Sequence, residues 1–253
     1  EATRMANRNR WVILIGNKAF DSESVAENTT AEADMESLRS ILVKRFAVPE
    51  NQVSVFENES SVRLRSEIPN LLDRLGSNDE LYVYVTTRGY LNQKDEAYLA
   101  AKEFDVTRME DTGLALDWLI DQVDGSTADR KLLLLDCSSN ESDKSAGGMS
   151  MIGAIQASKR GGYPKSTYIL SSCGEGESGL VSTESLDRSL FGLSLSDAFA
   201  GEADQQRDND IETTELTTFV IEHVEELARS SGRSQRPKLF LPDDTPPRLS
   251  DAA

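Results

Sequence analysis

Four short apolar runs decide what this chain can fold into: RWVILIG at 10–16, LYVYV at 81–85, KLLLL at 131–135 and STYILSS at 166–172. Each is shorter than a core helix and closes on glycine or small polar residues, as a strand buried on both faces does. Between them the periodicity changes to that of helices. In TTAEADMESLRSILVKRF, Thr29 and Glu32 have capping-box spacing, and Met35, Leu38, Leu42 and Phe46 recur on one face. NQVSVFEN reads as a shorter strand. Ile68, Leu71, Leu72 and Leu75 mark a helix starting near Ser66, with Pro69 harmless in its first turn.

TGLALDWLIDQV reads as a helix, and another runs through Ile152 and Ile155 after a Ser/Gly-rich stretch from Ser138 to Ser150. Two last helices cover SLFGLSLSDAFAG and TELTTFVIEHVEELARSS, the second with Leu216, Phe219, Val220, Val224 and Leu227 on one face. Strands alternating with helices imply an α/β fold with a largely parallel sheet covered on both sides. With no internal repeat or linker, the chain divides into a lead at 1–9, one domain at 10–242 and a disordered tail at 243–253.

The two middle runs end oddly. LYVYV passes into Thr86, Thr87 and Arg88, and KLLLL into Asp136, Cys137 and Ser138. In open parallel sheets, binding and catalytic groups gather beyond the carboxyl ends of the strands, so these residues stand where chemistry would stand.

Charge narrows the partners. The 253 residues carry 44 acidic against 27 basic side chains, a formal net charge of −17. Such a surface repels nucleic acid and anionic membranes, and suits a basic peptide or protein as well as plain solubility. The two cysteines, Cys137 and Cys173, form neither a disulfide framework nor a zinc cluster, and nothing points to a metal or cofactor. No run is long enough for a membrane span and no signal peptide is visible, which favours the cytoplasm. The chain opens Glu-Ala-Thr without Met, as a fragment of a longer protein would.

The order of these landmarks resembles the caspase-like peptidases, especially metacaspases and their bacterial relatives. The resemblance runs from about Arg10 to Leu241. It rests on AEADMESLRSIL, on AYLAAKEFD after the third strand, on LFGLSLSDAFAGEADQQRDNDIETTELTTFV, and on QRPKLF near the end. It implies a three-layer α/β/α fold with a mostly parallel central sheet of about six strands. It also implies a cysteine nucleophile two residues after the Asp ending the fourth strand, and a histidine base in an SGHG setting after the third.

Laid on this chain, the histidine position falls on Arg88 in TTRG and the cysteine position on Ser138 in DCSS. A guanidinium stays protonated and cannot act as a base, and a serine without a base is a weak nucleophile. Cys137, one residue earlier, points the other way on an extended chain and packs as a small hydrophobe. Cys173 borders the same cleft as a structural thiol, and the single histidine, His223, lies on the last helix among packing residues. The resemblance therefore implies a catalytically inactive module that binds a peptide or protein. The alternative is an active hydrolase using Ser138 or a cysteine by a non-standard route.

By the same resemblance, an acidic pocket for Arg or Lys maps onto Asp34 and Asp136. Paired carboxylates hold a guanidinium through charge-assisted hydrogen bonds. A plainer reading makes Asp136 a loop cap and Asp34 an early-helix acid favoured by the helix dipole. Arg88 sharpens the choice: turned inward it pairs with Asp136 and closes the pocket, and turned outward it leaves both acids free. DQQRDNDIETTEL fails as a calcium loop counted from Asp208, where the sixth and twelfth positions hold Thr213 and Phe219. Asn28, Asn58 and Asn140 match a glycosylation pattern too common to interpret.

Overall fold

The computed structural model describes residues 9–137, 153, 155–156, 164–174, 177–208 and 210–242. Ile152, the whole Ser/Gly-rich stretch from Ser138 to Ser150 (with Asn140) and the 243–253 tail lie outside them. The chain builds β1 (Arg10–Gly16), α1 (Ala31–Lys44), β2 (Val53–Glu57), α2 (Ser61–Leu72) and β3 (Glu80–Thr86). A small antiparallel unit follows: β4 (Gly89–Leu91), β5 (Ala97–Ala100), the one-turn α3 (Met109–Thr112) and β6 (Gly113–Ala115). Then come α4 (Leu116–Gly125), β7 (Arg130–Asp136), β8 (Thr167–Ser171), α5 (Leu190–Asp197), α6 (Thr213–Ser230) and β9 (Lys238–Phe240).

The main sheet has six strands in the order β2-β1-β3-β7-β8-β9. Its first five run parallel and β9 closes the edge antiparallel to β8. The four apolar runs are its adjacent inner strands, as their lack of polar alternation requires. Period-two geometry splits each run between two cores. Ile13, Ile15, Val83, Val85, Leu133 and Leu135 face α2 and α4, whereas Val12, Leu14, Tyr82, Tyr84, Leu132 and Leu134 face α1, α5 and α6.

Three local readings need correction. Thr30, not Thr29, caps α1; its backbone is already helical and makes no side-chain cap bond, while Glu32 pairs with Lys18 at 2.7 Å. The Thr29–Glu32 box therefore does not form. Helix α2 begins a turn and a half before Ser66, because Ser60 caps it by accepting from Arg63 N at 3.2 Å and Leu64 joins the Ile68–Leu72 stripe. Pro69 thus sits in the last turn rather than the first. In TGLALDWLIDQV, Gly113–Ala115 pair with β5 before the helix starts at Leu116.

The strand ends are pinned by their own polar groups. Thr87 Oγ1 and Asn17 Nδ2 both donate to Ala100 O, at 2.7 and 2.8 Å, and Asn28 Nδ2 donates to Thr86 Oγ1 at 3.1 Å. These bonds fasten the small sheet and the 17–30 connection to the carboxyl edge of the main one, satisfying groups that would be costly to bury bare. None of the described helices is long and apolar enough to cross a membrane.

On the other core face, Phe46, Tyr82 and Phe199 form an aromatic triad with ring centroids 5.0–5.7 Å apart. Phe199 is 2% exposed, so Phe199→Ala should lose about 3–5 kcal/mol of unfolding free energy in urea. Val62→Ala, at a 70% exposed site on α2, should change it by less than about 0.5 kcal/mol.

Candidate functional site at the carboxyl ends of the strands

Parallel pairing places Thr86 at the end of β3 opposite Asp136 at the end of β7. The next residues, Thr87 and Arg88, lead into β4. Helix α1 brings Asp34 to the same end from its first turn, with Met35 and Leu38 locking the helix onto the sheet. The amino end of α5 completes the group.

Asp34 is fully buried, and Asp136 is 7% exposed. Ser189, the N-cap of α5, joins them. Its N–H donates to Asp34 Oδ2 at 3.1 Å, its hydroxyl donates to Asp136 Oδ2 at 2.7 Å, and its own Oγ accepts from Gly192 N at 2.8 Å. Tyr84 OH is 3.5 Å from Asp136 Oδ2. The helix end adds the positive pole of its dipole to the two acids.

The charge that answers Asp34 is Arg188. Its Nε donates to Asp34 Oδ1 at 2.6 Å, and one NH2 group reaches Ser196 Oγ at 2.9 Å and Gly192 O at 3.2 Å. The arginine side chain is only 14% exposed. Gly192 makes this approach sterically feasible, because a Cβ there would stand 2.3 Å from Asp34 Oδ1. Asp34 thus already holds a guanidinium, supplied by the segment leading into α5, while Asp136 beside it accepts from Ser189.

Arg88 is directed elsewhere. Its Nε donates to Ala26 O at 3.2 Å and its NH2 to Glu27 O; burial raises the Asp136 carboxyl, and hydrogen bonds from Ser189 and Tyr84 oppose this more than the charge of Arg88 does. Ser138 lies outside the described residues. Cys137 is buried with its thiol 3.6 Å from Val85 O, and Cys173 is 8% exposed. Burial, reinforced by Asp136, pushes the Cys173 thiol up to about 12 and raises that of Cys137 further. Neither is a ready thiolate.

His223 packs its ring against Phe219 at 5.1 Å on α6, with Nδ1 3.7 Å from Asp197 Oδ2 on α5. Among the described residues no cluster of three or more His, Cys, Asp or Glu side chains could hold a metal ion. Within the acidic 204–215 stretch, Asp204 and Asp208 accept from the backbone at Asp208 and Asp210, and Glu212 and Glu215 form the capping box of α6.

Asp34 and Asp136 are therefore brought together, whereas Cys137, Cys173 and His223 do not form a reactive set with Arg88. Sequence reading missed Arg188, Ser189 and Gly192. A signal for Ser189 was present, since it directly precedes an apolar helical run. Arg188 gave none, being 154 residues from its partner.

No family model and no curated protein matches the sequence. Solved structures do match it in shape. The crystal structure of caspase-1 from Spodoptera frugiperda superposes with a TM-score of 0.61 at 20% identity, covering 92% of this chain and 86% of that one. The structure of pro-sf-caspase-1 gives 0.62 at 17% identity, covering 93% and 92%. The chain has a caspase-like α/β fold.

Burial has a pH signature. Desolvation raises the Asp34 carboxyl to about 6, with repulsion from Asp136 adding to it against the pull of Arg188. The native state therefore holds its extra proton between about pH 4 and 6 and loses stability as pH rises through that window. Unfolding free energies measured across that range should show wild type losing up to about 3 kcal/mol relative to Asp34→Asn as pH increases. A pH-independent difference would contradict the assignment. Arg188→Ala, which strands Asp34 in the interior, should cost about 3–5 kcal/mol at pH 7 in urea unfolding, and a neutral outcome would show the pair to be dispensable.

Proposed function

We propose that this chain is a catalytically silent module of caspase-like fold that binds a protein or peptide partner instead of cutting it. The observation that carries this reading is the identity and direction of Arg88. The resemblance puts a general base at that strand end, and a base normally supplies a factor of about 10² to 10⁴ in rate. Here the residue is a permanent cation tied to the carbonyls of Ala26 and Glu27. The buried, high-pKa thiols of Cys137 and Cys173 support the same reading, as does the position of His223 between α5 and α6.

The acidic pair fits the proposal in a particular way. Asp34 and Asp136 keep the chemistry that would recognise an arginine side chain, and Arg188 and Ser189 already use it. Partner recognition on this reading does not pass through that pocket. A second arginine would have to displace a buried ion pair, and its gain would be offset by stranding Arg188.

Fluorogenic peptides with Arg, Lys or Asp before the cut should give no turnover, and fluorophosphonate and epoxide probes should label no residue. Calorimetric titration with an arginine-containing peptide should release no more heat from wild type than from Asp136→Ala. Turnover or labelling that disappears in Ser138→Ala or Cys173→Ser would overturn the proposal and favour an active hydrolase.

A further inference from the structure

Strand β2 is an edge of the main sheet, hydrogen-bonded among the described residues to β1 alone. Asn58 N donates to Gly16 O at 2.9 Å, which sets the phase of that ladder. Counting back by twos, Phe56 and Ser54 turn their backbone groups toward β1, so those of Val55 and Glu57 point away from the sheet. The side chains sort equally cleanly. Phe56 enters the core under α2, whereas Val53 packs on the α1 side, and Val55 and Glu57 share its face.

On that face a groove of about 430 Å³ runs between β2 and α1. Its floor is Met35, Val53 and Val55, the last 40% exposed. Its walls carry Glu32, Glu36 and Glu57 against the single cation Arg39. Lys18 engages Glu32, but Glu36 and Glu57 are exposed and have no ion pair among the described residues. The site therefore combines outward-facing main-chain donors and acceptors, an apolar floor and surplus negative charge.

We propose that the β2 edge is a docking strand for an extended, basic segment of a partner protein. The segment adds as a further strand beside Val55 and Glu57. Its apolar side chains cover Val55, and its Lys or Arg side chains on the groove face meet Glu36 and Glu57. Main-chain bonds supply affinity in such additions and alternate side chains supply specificity. Five residues of β2 span about 17 Å, enough for five or six partner residues. A second copy of this chain is a poor occupant, because edge-to-edge pairing would set identical acidic walls together on molecules of net charge −17. The proposal does not depend on the strand-end site being silent.

Val55→Pro is a clean test, since it deletes an outward N–H without removing a bond to β1, and edge strands tolerate such a proline. A fluorescein-labelled peptide with threonine at every second position and valine and lysine in turn at the others, so that both meet the groove face, should bind the wild-type chain at low salt in an anisotropy titration. Affinity should drop at least about tenfold for Val55→Pro and for the charge-reversed Glu36→Lys/Glu57→Lys pair. Methylating the peptide's alternate amides should abolish binding to wild type, a test that needs no variant to fold. Four results overturn the proposal: no binding by wild type, equal binding by Val55→Pro, undiminished binding of the methylated peptide, or slow exchange of the Val55 and Glu57 amides in the free protein. A wild-type dimer in light scattering that Val55→Pro dissolves would assign the edge to self-association instead.

Discussion

The interaction on which the carboxyl end of this sheet depends is the burial of two carboxylates beneath the start of α5. Desolvating a carboxylate costs several kcal/mol even after the interior relaxes, and two together repel. Ser189 and Arg188 answer that cost from one segment, and Gly192 lets the helix approach closely enough for them to reach. Three elements distant in sequence, α1, β7 and α5, are thereby held in one arrangement. Replacing buried ion pairs by well-packed hydrophobic residues is often neutral or stabilising, so ion pairing is not the most stabilising way to join these elements. The acids are thus costly as glue.

Legibility in the sequence followed the range of each interaction. The inner strands were readable because a strand buried on both sides must be apolar throughout, and because period two then assigns Ile13 and Ile15 to one core and Val12 and Leu14 to the other. The long helices were readable from stripes such as Leu216, Val220 and Val224. The unit β4–β6 was not, since strands of three or four residues show no resolvable period. Its place is set by long-range bonds such as those converging on Ala100 O. The misplaced cap at Thr29 and the late start assigned to α2 have one origin. A cap is decided by backbone angles and by competing partners, and Lys18 claimed Glu32.

The candidate site divides the same way. Asp34 and Asp136 could be named from motif position, as could Arg88, yet which cation would neutralise the acids was invisible. Sequence reading asked whether Arg88 turned inward. In the fold Arg88 follows β3 with its guanidinium on the 26–27 carbonyls, and Asp34 is paired with Arg188 from the other side. Arg88 ends the polar run after β3 in satisfied bonds, and Arg188 does the same just before α5. That answers why buried strands should finish in such residues: Thr86, Thr87 and Asp136 are spent on fastening loops and helices to the sheet edge.

The acidic surplus therefore has two physically different parts. Where carboxylates are buried, as at Asp34 and Asp136, the chain must supply the counter-groups itself, or the fold could not form with the acids ionised. Where they flank an unpaired edge, as at Glu36 and Glu57, water screens them and no internal answer is required. An exposed edge beside an apolar floor is ordinarily a liability for aggregation, and like charge along it blocks self-pairing. On the proposed docking, the charge that blocks a second copy would favour a basic strand, so specificity would follow from repulsion as much as from attraction. On that docking, a caspase-like fold whose strand-end carboxylates are answered from within carries its open acidic surface at the β2 edge instead.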